Sequence, residues 1–213
     1  MLDRRAAATA ATRADLLTFA QARMRAAEGG ALAVLADWVE TYLMQGHPDL
    51  GRTGAVCPFT RQAGKLDTIR LNLSLVGPDD EEAAFALTRR GFADLNAIPA
   101  KPGMEHFRTV ISGFPNCAGD DGIAMLKRVQ RRHKFHSLAR FRMIGFMHPA
   151  SEDQGLWNPA FRPLRAPMPV LAIRHMVEQD APFAAHHPLL MAPYLLKFRL
   201  DGAKRLIAYR RAH

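Results

Sequence analysis

Cysteine occurs at only two of the 213 positions, Cys57 and Cys117, so no disulfide framework is implied and a reducing compartment, the cytoplasm, is expected. No apolar run approaches the ~20 residues that a bilayer crossing needs. The opening MLDRRAAATAATRADLL lacks the continuous hydrophobic centre of a secretory signal. Its Arg, Ala and Thr with few acids give a faint likeness to a transit peptide. Residues 1–14 read better as a disordered or frayed lead-in, because Asp15 already opens an amphipathic stretch. Catalytic signatures are also missing: there is no G-x-S-x-G elbow, P-loop or G-x-G-x-x-G fingerprint. Without a C-x-x-C pair, and with His133-x-x-His136 short of partners, a four-ligand zinc site is disfavoured.

What is present is an ordinary globular composition, 48% apolar and 23% charged. A chain of this size hides about 70% of its unfolded surface, enough for a sizeable core. One domain over residues 1–213 is expected. Lys and Arg number 29 against 20 acids, a net charge of +9 that favours anionic partners at long range. The excess gathers at Lys127, Arg128, Arg131, Arg132, Lys134, Arg140 and Arg142, and again between Lys197 and Arg211. Aromatics make up only 8% of the chain and do not interleave with these clusters, so solvated helix faces explain them better than nucleic-acid binding. A polyanion-binding protein is the least favoured of three readings.

Apolar periodicity predicts helix from Asp15 to Gln45, broken at Gly29-Gly30 and stopped by Gly46-His47-Pro48. Strict alternation from Thr68 to Leu75 predicts a half-buried strand. An acidic, capped first turn opens a helix over Asp79 to Ala97, with Phe85, Leu87, Phe92 and Leu95 as its buried side. Phe107 to Phe114 reads as a strand, and Asp120 and Asp121 as caps of the next helix. Phe141 to His148 and Pro169 to Val177 read as strands, the second central. Four prolines keep Trp157 to Pro169 extended between them, and a last helix starts near His187-Pro188. The class is α+β, a mainly antiparallel sheet flanked by helices.

The most informative stretch is His47 to Phe59, where Cys57 follows glycines that allow close backbone approach and precedes Pro58, which extends it. A thiolate in such a loop could be an axial iron ligand of haem, with Arg52, Arg61 and Arg70 as propionate partners. The plainer reading makes Cys57 a small buried hydrophobe. His148 ends one predicted strand and His175 lies in the next, so the two could meet as iron ligands or distal groups. A lone strand histidine is more often structural.

Together GRTGAVCPF (Gly51 to Phe59), RMIGFMHP (Arg142 to Pro149) and GLWNPAFRPLRAPMPVLAIRHM (Gly155 to Met176) resemble a bacterial domain-of-unknown-function family often seen near biosynthetic genes. More distantly, the Cys57 loop and the strand after it are similar to those of the YqcI/YcgG-type haem proteins, some of which N-hydroxylate guanidino or amino groups. In those proteins the cysteine follows its proline, whereas Cys57 precedes Pro58. That resemblance implies a haem-dependent oxidative enzyme for a small amino-acid-derived or nitrogenous substrate. Cys57 would then be the metal ligand and His148 and His175 the catalytic or distal groups. Arg162, Arg165 and Arg174 would bind a propionate or substrate carboxylate, and Trp157 and Phe161 would wall the pocket. A homodimer through an apolar helix face and an electron-donor protein are expected partners, and no membrane. The alternative is a non-catalytic small-molecule-binding or protein-interaction module.

Overall fold

The computed structural model describes residues 15–27 and 29–212, so the lead-in over 1–14 lies outside the described residues. Its centre is a five-stranded sheet: β1 (Leu17–Thr18), β2 (Ile69–Leu73), β3 (Thr109–Gly113), β4 (Arg142–Met147) and β5 (Val170–His175). The spatial order is β1-β2-β3-β5-β4, and every neighbouring pair is antiparallel except β2 with β3. The fold is therefore α+β with a mostly antiparallel sheet, and β5 lies inside it as expected. The parallel pair follows from a helix, α4 (Glu81–Ala97), that carries the chain over the sheet between β2 and β3.

Both faces are covered. On one side α1 (Phe19–Ala26), α2 (Gly30–Trp38) and the short α3 (Thr60–Lys65) bury Ala22, Leu35, Ala36 and Ala63 against Leu71, Ile111 and Val170. On the other, α4 and α5 (Asp120–Ala139) bury Phe92, Leu95, Leu126 and Val129 against Val110, Ile173, Leu171 and Phe146. Gly91 sets the approach of α4, since a Cβ there would stand 2.9 Å from Ile173 Cδ1. The half-buried reading of β2 is corrected by this second layer. Asn72, expected outside, is buried beneath α4 beside Thr88 and Ser112.

Two expected caps are absent. Gly119 and Asp80 stand at the N-cap positions of α5 and α4, and neither makes a side-chain cap bond. Asp120 and Asp121 lie instead in the first turn, where the helix dipole favours them. Glu81 and Glu82 reach across to α5, bonding Arg128 at 2.7 Å and Arg132 at 2.6 Å. Arg128 and Arg132, two of the seven residues of the first basic cluster, are thereby paired.

The chain closes with α6 (Ala181–His186) and α7 (Pro188–Ala212), the latter kinked at Arg199, whose φ is 48°. Periodicity misses α6 because it is short and holds Pro182 in its first turn. No helix among the described residues is long and apolar enough to cross a membrane. The turn from β5 into α6 hangs on Asp180, which is buried and accepts from Arg174 Nη1 at 2.9 Å, Arg174 Nη2 and the Val177 N–H. Removing one partner of such a pair strands the other. Asp180→Ala should lower stability in urea unfolding by about 3–5 kcal/mol.

Candidate functional site

Helix α2 does not end in a plain turn but runs into a π-helical turn over Val39–Leu43. Such turns are frequent at functional sites. The turn sets Trp38 and Tyr42 in parallel, ring centroids 6.1 Å apart. His47, just past the helix stop, meets Tyr42 edge-on at 6.2 Å and stacks on Phe161 at 4.6 Å. Four rings from two distant segments thus form one continuous wall.

The second segment is the Pro-rich crossover between β4 and β5, which has neither helix nor strand from 148 to 169. It is fastened to the His47 loop at three points. Asn158 Nδ2 donates to Asp49 O at 2.8 Å, and the Tyr42 hydroxyl donates to Pro163 O at 3.2 Å. Gly51, with φ of 75°, presses on the backbone of Trp157, where a Cβ would meet the carbonyl carbon and oxygen at 2.9 Å. Glycine is required there for its conformation and for the contact. The two motif-bearing segments of the sequence therefore meet in space.

Between them opens a cleft of about 770 Å³ lined by Trp38, Tyr42, His47, Asp49, Phe161, Arg162 and Arg165, with Pro149 and Pro167 among the remainder. That volume suits a small-molecule ligand. Arg162 and Arg165 hold the exposed Glu152 between them, at 3.1 and 2.6 Å, and together keep its carboxyl below the usual range. Arg162 Nη2 and Arg165 Nη1 make no hydrogen bond among the described residues. Nδ1 of His47 accepts the Asp49 N–H at 3.1 Å, so in the neutral ring the proton sits on Nε2.

Of the expected site residues, Phe161, Arg162 and Arg165 fall in this cleft. Trp157 lends its backbone, while its ring meets Tyr209 of α7 edge-on at 6.3 Å. Cys57 is not among the lining residues. Half-buried, it packs against the core under α2, and its N–H donates to Leu43 O at 3.0 Å. The arginines assigned to propionates serve the loop itself. Arg52 donates to the carbonyls of Thr53, Ala55 and Val56, Arg61 to Met44 O, and Arg70 to Asp67 and Ile69. As arranged, these guanidinium groups brace backbone carbonyls of their own segment, and Cys57 lies outside the ring-lined cleft.

His148 and His175 do not meet, contrary to the sequence expectation. β4 and β5 are antiparallel, with Arg142 opposite His175 and Met147 opposite Val170. The two histidines therefore stand at opposite ends of the strand pair, roughly 20 Å apart along the strands. His148 is buried on Phe146, and burial first, then Lys127, depresses its pKa. Its backbone staples the crossover: its N–H donates to Leu164 O, and its carbonyl accepts from Ala166 and Ser151. Arg174 belongs to Asp180 and lies over the Phe59 ring at 5.6 Å. Among the described residues no group of three His, Cys, Asp or Glu is placed to hold a metal ion.

Trp38, Tyr42 and His47 escape the sequence reading because helical spacing makes the first two look like core and the third like a helix stop. A family model described as a domain of unknown function, DUF6875, matches residues 32–208 and so takes in both segments of the cleft. No curated protein and no solved structure matches the chain.

His175 yields a pH test. Burial first, then Arg142, Lys197 and Arg108, drive its pKa from 6.5 down to about 3. The folded state keeps it neutral where the unfolded chain binds a proton, so it costs stability as pH falls from 6.5 towards 3. His133, His136 and His148 shift the same way. Unfolding free energy in phosphate-free buffer should drop between pH 7 and 4, and less steeply in His175→Gln.

Proposed function

The chain belongs to the family described as domain of unknown function DUF6875, and from its cleft we propose that it binds a small, flat-ringed molecule carrying an acidic group. The observation that carries this reading is the run of four rings, Trp38, Tyr42, His47 and Phe161, along a cleft that also holds Arg162 and Arg165. Tyr42 and His47, the half-buried members, offer contact to a planar body and are backed by the buried Trp38 and Phe161. The guanidinium groups offer paired donors for a carboxylate or phosphate. Asp49 is the one acidic group of the lining and suits an amine, which fits an amino-acid-derived or nitrogenous ligand.

Glu152 acts in this reading as the internal occupant of the arginine pair. Its side chain is 70% exposed, so its bridge is weak and an incoming acid can replace it. His47, with its Nε2 proton in the cleft wall, is the group best placed for proton transfer should the bound molecule react.

A haem-dependent oxidative enzyme with an electron-donor protein is what the distant resemblance implies. It would need a cavity wall at Cys57 and uncommitted arginines in that loop, and the cleft with its rings lies elsewhere. A homodimer would use α7, where Leu196 and Leu200 are exposed.

Calorimetric titration with aromatic carboxylates, set against the same rings lacking the carboxylate, tests the proposal. The acids should bind and quench Trp38. Arg165→Gln should weaken them about tenfold or more, the worth of a charged hydrogen bond. Glu152→Gln should tighten them. Equal affinity for acids and uncharged rings, or tighter binding in Arg165→Gln, would remove the arginine pair from the site.

A further inference from the structure

At the end of the sheet remote from the cleft, three cationic or ionisable side chains lie side by side on adjacent strands. Arg142 of β4 is opposite His175 of β5. On the other flank Thr109 is opposite Arg174, so Arg108, one position earlier, comes level with His175. Neighbouring strands are about 4.8 Å apart, which makes Arg108, His175 and Arg142 one row on the face covered by α4. Lys197 of α7 adds a further positive charge close enough to bear on His175.

The bonding of this row is incomplete in a directed way. Arg142 Nη1 stands 2.8 Å from His175 Nδ1 and donates to it, so the imidazole proton must sit on Nε2. That Nε2 is buried without a partner, and so is Arg108 Nε. Two N–H donors are therefore shielded from water with nothing to accept them, which is costly for the folded state. The charges are uncompensated as well. Among the described residues Arg142 bonds Asn96 Oδ1 and Arg140 O, and Lys197 bonds Met176 O, none of them a carboxylate. The nearby Asp180 is taken up by Arg174. A trapped water would answer the donors but leave the charge in place.

We infer that this end of the sheet is an oxyanion site, taking a phosphate-class group between Arg108 and His175, with Arg142 and Lys197 supplying countercharge. The group is either free phosphate or the phosphate of a larger molecule. Tetrahedral oxygens can accept from several directions at once, and a dianion offsets more of the three cations than a carboxylate does. The site is independent of the cleft, which lies at the other end of β5.

Titration calorimetry with inorganic phosphate at fixed ionic strength tests the inference, with glycerol 3-phosphate in a parallel arm. Saturable binding is expected, weakened about tenfold or more in Arg108→Met and again in Lys197→Met. It should be unchanged in Arg131→Met, which removes one exposed charge elsewhere. The His175 imidazole resonances of the folded protein should move as phosphate saturates. Tighter binding of the ester assigns the phosphate to a larger ligand, and equal binding assigns it to the free anion. No saturable heat, an unmoved His175 resonance, or equal losses in Arg108→Met and Arg131→Met would overturn the site.

Discussion

Buried peptide groups must find partners, and two long irregular segments of this protein find theirs in themselves and in each other. Residues 44–59 hold only the short 3₁₀ turn Pro48–Leu50, and residues 148–169 hold neither helix nor strand. Within the first, the Val56 and Cys57 N–H groups return to Gln45 and Leu43. Within the second, Gly155 bonds Phe161 O and His148 bonds Leu164 O. Asn158 and Tyr42 then tie one segment to the other, with Gly51 flush against Trp157. The aromatic wall and the arginine pair exist in their places because of that mutual fastening.

Strand β5 joins two chemically different ends. At its start, reached through the crossover, lies a cleft with rings, two arginines and two carboxylates in reach of them. At its finish lie Arg108, Arg142, Arg174 and Lys197, with Asp180 serving the third of these. The net charge of +9 is thus not spread evenly over helix faces. Part of it is answered on the surface, as where Glu81 and Glu82 meet Arg128 and Arg132, and part is drawn inside without an answering carboxylate.

The positions of β2 to β5 and the central place of β5 were legible because β-branched and alternating runs stand out against flanking turns, whereas the two-residue β1 (Leu17–Thr18) lies inside the stretch read as helix from Asp15. The second covered face of β2 was not, since Asn72 looks like a solvent position until α4 is laid over it. The same ambiguity hid the aromatic wall: Trp38 and Tyr42 have core spacing, and only the π-helical turn brings them to a cleft. The motif segments around Gly51 and Phe161 were visible as unusual, and Phe161, Arg162 and Arg165 do gather. Cys57 drew attention as a rare residue type, yet rarity carries no geometry. His148 and His175 were separated by strand direction, which residue types do not encode.

Hydrogen exchange over residues 151–167 tests most directly whether the two irregular segments form one fastened body. Gly155, Phe161 and Ala166 should exchange as slowly as amides of the sheet, opening together with Val56 and Cys57, although none of these five residues lies in a helix or strand. Exchange of 151–167 at the rate of a free loop, uncoupled from 43–57, would contradict it and leave the cleft without walls.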